Sequence, residues 1–476
     1  QPLIGPAPGL RNAWLACGSG FGIGEGAGAG KLLAEWIVEG RPPMHMGIFD
    51  PRRFGDYAHR QYRVDKAIEV FAMQFATHYP LEERPAGRPA KTTPIYQRLQ
   101  KAGARFGCVR GWERANWFAT DGQPHRLSFH RSEWFDAVAR EVRGVSTHAG
   151  VIDLSGFSKL LVRGEDATTF LDSMSANRLP QSTGEIRLCH CLNTMGTVEC
   201  EFTITLLDES VYYLVYAAAA EQHHIDWLIS HLPAGGDVVL ENVTASRGVI
   251  GLAGPESRDI LSPLTSQSLS IADFPWLTAQ QFDVAGRPVT AMRVSYSGES
   301  GWELHHDIAD QIVIYDALKS VAGIAPPVDF GFYAMNSMRM EKAHRAWGVE
   351  LTVENTPWES GLDRFISLGD REFIGRESLI AQRDTGVSRQ LVYAEVDTGN
   401  ADIIGGEAVY CQEDRAGAAV SGVFGHRVGK SLAFLLLPSE MALEPGSLEV
   451  EVLGKRRPAK QIAEPAFDPT NRLPRT

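Results

Sequence analysis

The chain has 476 residues, 44% of them hydrophobic, with a net charge of −12 and a pI near 5.7. That length exceeds a single hydrophobic core and predicts two to four domains. The acidic balance argues against nucleic acid as a partner, because a backbone-tracking surface needs clustered lysine and arginine, and no run of about 18 apolar residues exists to span a membrane.

Near the start, Asn12–Ala16 is predicted as a strand running into a glycine run, Gly18 to Gly30, and then into a helix from Lys31 to Glu39 closed by Gly40. Glycines between a strand and a helix N-terminus let backbone amides approach a flat or anionic group, with Gly20, Gly22 and Gly24 as candidate contacts. The spacing is not G-x-G-x-x-G, and a flexible loop is an equal alternative. Residues 50 to 128 read as a connecting domain. It holds a helical segment through Tyr62, Lys66 and Glu69, a proline-rich passage from Pro80 to Pro94, and Gly111-Trp-Glu-Arg-Ala-Asn-Trp-Phe118, whose aromatic side chains suit an anchor between domains.

From Arg131, the 3-to-4 spacing of Trp134, Phe135, Val138 and Val142 predicts a helix. Strands are predicted at Phe157–Val162, Arg187–Leu192, Val198–Leu206, Val211–Tyr216, Val238–Leu240 and Val249–Ala253. Helices are predicted at Ala167–Met174, Ala220–Leu232, Pro255–Leu261, Gln311–Val321 and Phe332–Ala346. Strands clustered between helices make the fold α+β with mainly antiparallel sheets. Beyond 385, short strands at Gln390–Glu395, Gly422–Gly425, Lys430–Leu437 and Glu449–Val452 predict a small C-terminal β-barrel.

The six cysteines have no framework spacing and follow no signal peptide, which predicts free thiols in a reducing compartment, cytoplasmic or, in a eukaryote, the mitochondrial matrix. Cys189-His190-Cys191 falls in a predicted buried strand whose neighbouring side chains point to opposite faces. His223-His224 and His305-His306 lack ligand spacing, and no metal site is assigned.

In Val294-Ser-Tyr-Ser-Gly-Glu-Ser-Gly-Trp-Glu-Leu304, alternation stops at a Tyr-x-Gly-Glu-x-Gly-x-Glu loop. It sets Tyr296 and two carboxylates, Glu299 and Glu303, around backbone freed by two glycines. A flat heteroaromatic ligand with adjacent N–H donors suits that composition, because a carboxylate accepts two such bonds in its own plane. An ordinary hairpin turn with solvated acids is the plain alternative.

This segment resembles the tetrahydrofolate-binding signature of the aminomethyltransferase family, which includes the glycine-cleavage T-protein and the folate domains of dimethylglycine and sarcosine dehydrogenases and oxidases. Gly251–Leu261, Asn336–Gly348, Thr356–Leu362 and Phe373–Leu379 agree with it in order, and the resemblance covers roughly residues 130 to 470. Residues 11–20 and 28–36 look like the C-terminal end of the FAD domain of those flavoenzymes, and residues 50–128 resemble their central domain. The resemblance implies four units: 1–49, an incomplete FAD-domain segment; 50–128, a connecting domain; 129–385, the tetrahydrofolate-binding domain; and 386–476, the barrel.

The same resemblance implies the folate-binding portion of a flavin-dependent N-methyl amine demethylase. A small methylated amine would be the substrate, and the oxidised one-carbon unit would pass to tetrahydrofolate to give 5,10-methylenetetrahydrofolate. FAD would be shared with a missing N-terminal half upstream of Gln1 or with a partner chain. The alternatives are a flavin-independent, tetrahydrofolate-dependent demethylase or aminomethyltransferase, and a non-catalytic folate-binding subunit of an oxidoreductase.

Site residues follow from the matching motifs. The family's Gly-x-x-x-Asp-Asp-Leu run reads Gly196-Thr-Val-Glu-Cys-Glu-Phe202 here, which makes Glu201 the catalytic candidate, with Glu199 on the same strand face as the fallback. Tyr296, Glu299 and Glu303 would bind the pterin, Glu303 reading its edge and Glu299 supporting the loop. Asn193 matches a polar family position, with turn chemistry as its alternative. Arg339 would meet the folate tail or an acid of the site, but not Glu341, since i,i+2 helix residues do not face each other. Met335 replaces a T-protein arginine, which favours the dehydrogenase branch. Trp302 and Trp347 either sandwich the ligand or fill core.

Overall fold

The computed structural model describes residues 2–120, 126–443 and 448–476. A hairpin of β1 (Leu3–Pro6) and β2 (Trp14–Cys17) leads into α1 (Gly22–Glu39), and α2 (Arg60–Ala72) and α3 (Tyr96–Lys101) precede a second hairpin of β3 (Ala104–Val109) and β4 (Trp112–Phe118). After α4 (Glu133–Thr147) come β5 (Gly150–Asp153), β6 (Ser158–Arg163), α5 (Ala167–Met174), β7 (Ile186–Leu192), β8 (Val198–Asp208), β9 (Val211–Tyr216), α6 (Glu221–Ser230) and β10 (Val239–Asn242). Then follow β11 (Arg247–Ala253), α7 (Ser257–Leu261), β12 (Ala279–Val284), β13 (Arg287–Met292), β14 (Gly301–Asp307), α8 (Gln311–Leu318), β15 (Val328–Asp329), α9 (Phe332–Glu341) and α10 (Arg376–Thr385).

These strands form two facing sheets. One has the order β10-β6-β9-β8-β7 and the other β12-β13-β14-β11-β5-β15, antiparallel except where β15 joins β5. The closing portion is a barrel, β16 (Arg389–Val396), β19 (Lys430–Pro438), β18 (Asp414–Gly425), β17 (Ala408–Cys411), β20 (Leu448–Val452) and β21 (Lys455–Gln461), with β21 pairing back onto β16. The predicted α+β class, antiparallel sheets and C-terminal barrel are therefore present.

Two expectations require correction. The glycine run is no loop: Gly22 to Gly30 form the first half of α1, although each interior glycine costs about 1 kcal/mol relative to alanine. Helix α9 ends at Glu341, short of Ala346, because Ala343 adopts a left-handed φ of 52° and turns His344 and Arg345 out of the helical path.

Helix α9 is buried on every side from Ala334 to Glu341, with α4, β4 and the barrel strand β18 around it. The Trp117 and Phe118 side chains of β4 enter two core clusters, both shared with β11. Arg427, in the turn between β18 and β19, reaches from the barrel into the Tyr-x-Gly-Glu loop. Its Nη1 donates to Glu299 Oε1 at 2.7 Å, its Nη2 to the carbonyls of Ser297 and Met338 at 2.9 Å each, and its Nε to Glu341. Gly425 lets this turn approach, since a Cβ there would lie 2.8 Å from Glu341 Cγ.

Burial pushes the Glu299 and Glu341 carboxyls above their ordinary range even though Arg427 opposes it, so desolvation exceeds attraction at this cluster. Arg427→Met strands two buried carboxylates and is expected to lower stability by about 3–5 kcal/mol, with part recovered by adding Glu341→Gln. Urea denaturation checks it, and a loss under about 0.5 kcal/mol, the range of an ordinary surface substitution, contradicts it.

Candidate functional site

β7 and β8 pair so that His190 lies directly opposite Glu201. Alternation sends Phe202 and Ile204 into the core beneath α5 and α6 and turns Glu201, Thr203 and Thr205 towards the other sheet. The Glu201 carboxylate keeps 21% exposure and accepts through Oε2 from Nε2 of the wholly buried His190 at 3.1 Å. On the facing sheet Glu303 keeps 23% exposure and accepts through Oε2 from His305 Nε2 at 3.3 Å, while Tyr213 O–H donates to His305 Nδ1 at 3.1 Å. These partners assign the proton of His305 to Nε2. Burial keeps that imidazole neutral against the opposing pull of Glu303.

Tyr213 pairs with Thr205, four residues along β8 from Glu201, or about 13 Å at strand rise. The two carboxylates thus face the space between the sheets from separated positions, each with one oxygen held by a buried imidazole.

Tyr296 lies between them in the chain, close enough to Glu201 to feel its field. Its ring stacks on His344 with centroids 5.6 Å apart, its O–H donates to Arg345 O at 3.2 Å, and burial, opposed by Arg339 and reinforced by Glu350 and Glu201, raises its phenol. The loop that carries it requires both glycines. A Cβ on Gly298, at φ 81°, would lie 2.6 Å from Lys342 Cδ, and one on Gly301 would lie 2.1 Å from Leu252 O.

The other sequence-predicted residues serve differently. Glu299, named with the pterin-binding residues as the support of their loop, is 4% exposed and committed to Arg427, and it offers no open oxygen to a ligand. Of the two kinds of partner expected for Arg339, a ligand tail or an acid, the structure shows an acid. Its Nη1 donates to buried Glu350 at 2.8 Å and to His344 O at 2.9 Å, which ties down the chain after α9 and leaves no free charge for a ligand tail. Asn193 caps the β7–β8 turn through Oδ1, accepting from Met195 N–H at 3.0 Å, and its Nδ2 donates to Glu199 Oε2 at 3.2 Å. Gly20, Gly22 and Gly24 lie at the start of α1, and a Cβ on Gly22 or Gly24 would meet nothing within 4 Å. Trp302 fills core against Phe274 at 6.2 Å, while Trp347 packs on His224 at 4.6 Å in a different cluster, so the two do not sandwich a ligand.

Glu199 is buried, yet hydrogen bonds from His223 and Asn193 more than offset that desolvation and hold its carboxyl below the ordinary range. Glu201 N–H donates to His224 Nε2 at 3.3 Å. His224, kept neutral by burial, therefore carries its proton on Nδ1, facing His223 Nδ1 at 3.1 Å, and His223 Nε2–H meets Glu199 Oε1 at 2.9 Å. Cys200, His223 and His224 bring three metal-capable atoms within 4.8 Å of one another, a convergence that linear spacing did not reveal, with both imidazoles engaged in this relay.

Sequence reasoning missed His190, His305, Arg427, Glu350 and Lys159. Only His305 carried a local signal, two residues from Glu303 on the same strand face. Elsewhere, a crevice of about 610 Å³ lined by Arg88, Phe106, Glu113, Asn116 and Tyr333 includes none of the predicted site residues.

The family described as GCVT N-terminal domain matches residues 95–370, more than half of the chain. The chain belongs to this folate-binding aminomethyltransferase family. Residues 39–93 match the FAD dependent oxidoreductase central domain, and residues 389–468 match the Glycine cleavage T-protein C-terminal barrel domain. Mitochondrial dimethylglycine dehydrogenase of Mus musculus is 38% identical over 98% of this chain and 54% of its own length. The 4-methylaminobutanoate oxidase (formaldehyde-forming) of Paenarthrobacter nicotinovorans is 29% identical over 98% of the chain and 57% of its own length. The chain thus spans about half the length of these curated relatives. The crystal structure of glycine cleavage system aminomethyltransferase T from Bartonella henselae shares the fold, with a TM-score of 0.69, 22% identity, and coverage of 80% of this chain and 98% of that one. Among the described residues no helix is long and apolar enough to cross a membrane, and all six cysteines are free.

Lys159, on β6, is fully buried between the sheets, and its Nζ donates to Ser155 O at 2.7 Å. Burial pulls its amine down to about 7, against the opposing fields of Asp153, Glu221 and Glu303. An unfolded lysine titrates near 10.4, so between about pH 7 and 10 the unfolded chain binds a proton that the folded chain does not, and this group makes stability rise with pH. The stability advantage of Lys159→Met over wild type is therefore expected to shrink from pH 7 to pH 9 in urea titrations. A constant difference contradicts the assignment.

Proposed function

We propose that this chain is the folate-binding, one-carbon-transferring portion of a flavin-dependent N-methyl amine demethylase of the dimethylglycine or sarcosine type, yielding 5,10-methylenetetrahydrofolate. The observation that carries the reading is the pair of mostly buried but still accessible carboxylates, Glu201 and Glu303, each steadied by a buried imidazole on facing sheets. The donor set fits a reduced pterin. The free oxygen of Glu303 and its imidazole-held partner can accept an amino group and the adjacent ring N–H together, with Tyr296 supplying an aromatic wall.

At the far end Glu201 accepts or holds the proton lost as a folate nitrogen bonds the incoming carbon, and its charge stabilises the cation that develops. Its hydrogen bond from His190 fixes the carboxylate plane. Bound flavin would supply the two-electron oxidation of the N-methyl group. On this chain, the first-turn amides of α1 at Gly22 and Gly24, which lack intrahelical acceptors and carry no side chain, are the groups suited to contact it.

The division proposed is 1–49, 50–128, 129–385 and 386–476. A further polypeptide segment, the flavin-binding half or a partner, is proposed to cover the apolar surface of residues 21–75, where Phe21, Ile23, Phe71 and Phe75 are 56%, 103%, 80% and 87% exposed. The compartment proposed is the cytoplasm or, in a eukaryote, the mitochondrial matrix. The free cysteines and the mitochondrial label of the mouse relative support it.

Glu303→Ala leaves pterin donors unpaired and is expected to weaken tetrahydrofolate binding by about 2 to 4 kcal/mol, or about 30- to 1000-fold, in a calorimetric titration. A drop under about threefold removes Glu303 from the site. Glu201→Gln keeps hydrogen bonding but loses charge and basicity, so affinity stays within a few-fold while methylene transfer slows by about 100-fold or more. Wild-type rates of methylenetetrahydrofolate formation in that variant return the role to Glu199 or to no protein acid.

A further inference from the structure

Two guanidinium groups near this site, those of Arg345 and Arg364, have no salt-bridge partner among the described residues. Arg345 follows the turn that ends α9. Its Nη1 donates to Ala343 O at 2.9 Å, its guanidinium lies over the Phe434 ring at 5.1 Å, and its Nε is buried with no acceptor. The acids whose fields reach it are Glu350, already held by Arg339, and Asp363, which is exposed. Burial, and then the repulsion of Arg364, pull the Arg345 guanidinium down to about 10.

Arg364 projects from the turn Asp363–Phe365 and lies 4.6 Å over the Phe365 ring. That ring in turn meets His190 at 6.0 Å, and His190 holds Glu201. On the other side Arg345 O accepts from the Tyr296 hydroxyl, and Arg364 also repels a proton from buried His344, the ring stacked on Tyr296. The two cations therefore sit on segments that touch Tyr296 on one side and the support of Glu201 on the other. Two like charges held together without an acid between them favour an anion that is not part of the resting protein.

We propose that Arg345 and Arg364 form a carboxylate clamp for the glutamate tail of a folate, holding the end of the ligand opposite the pterin edge read by Glu303. The inference rests on the folate reading of the site. Arg339, the arginine that linear sequence singled out for a tail, is occupied by Glu350, and the clamp is built from the next two cations outward. A carboxylate could also belong to an amino-acid-derived methyl donor, and the experiment separates the two sources.

The full chain is titrated calorimetrically with tetrahydrofolate, with tail-less 6-methyltetrahydropterin and with N,N-dimethylglycine, as wild type, Arg364→Gln, Arg364→Lys and Arg345→Gln. The clamp predicts that wild type binds tetrahydrofolate at least tenfold more tightly than the tail-less pterin. It also predicts that Arg364→Gln removes about tenfold of tetrahydrofolate affinity, that Arg364→Lys restores part of it, and that pterin affinity stays within twofold throughout. Arg364 lies at the surface, so its variants report even where Arg345→Gln fails to fold. Unchanged tetrahydrofolate affinity in Arg364→Gln, or equal loss for tetrahydrofolate and pterin, overturns the clamp while leaving the folate site standing. Loss confined to dimethylglycine overturns the tail assignment. Absence of wild-type binding to both pterin compounds overturns the folate reading, and the clamp with it.

Discussion

Arg427 is the contact on which the arrangement depends. A single guanidinium from the barrel takes the charge of two buried acids, Glu299 in the Tyr-x-Gly-Glu loop and Glu341 at the end of α9, and covers the Phe467 ring at 3.8 Å. Taking these groups out of water is unfavourable, and burial still dominates the titration of both carboxyls. What the cluster provides is geometry. It fixes the loop carrying Tyr296 and the start of β14 relative to α9 and the barrel, so that Glu303 points into the space between the sheets.

The same logic recurs one layer inward. Arg339 and Glu350 tie the chain after α9 into place, which sets His344 against Tyr296. His190 and His305 each orient one carboxylate. Glu201 and Glu303 take their supports from imidazoles, whereas Glu299, Glu341 and Glu350 take theirs from guanidinium groups. A carboxylate that accepts from one imidazole N–H through one oxygen has the other open to a further donor. One matched by arginine is already neutralised.

Local periodicity made much of the framework legible. Val211–Tyr216 and Ala167–Met174 agree residue for residue with β9 and α5, and β7 and β8 differ from expectation by one or two residues at an end. The glycine run was misread because helix propensity argues against it and the tertiary setting decides otherwise. The positions of Glu201, Tyr296 and Glu303 could be read from motif order, but their partners could not. Pairing His190 with Glu201 requires strand register, and the Glu299–Arg427 contact spans 128 residues of chain. The counterions of Arg339 and Glu299 were not legible, because a charged residue in a binding motif looks the same whether its counterion is a ligand or a distant side chain.

The most direct test of this account is a crystal structure of the chain with tetrahydrofolate bound. The account predicts the pterin between β8 and β14, with its amino edge within hydrogen-bonding distance of Glu303 and its reacting nitrogens towards Glu201. A ligand seated in the crevice beside Arg88 and Tyr333, or one contacting Arg339 or Glu299 in place of Glu303, would contradict it.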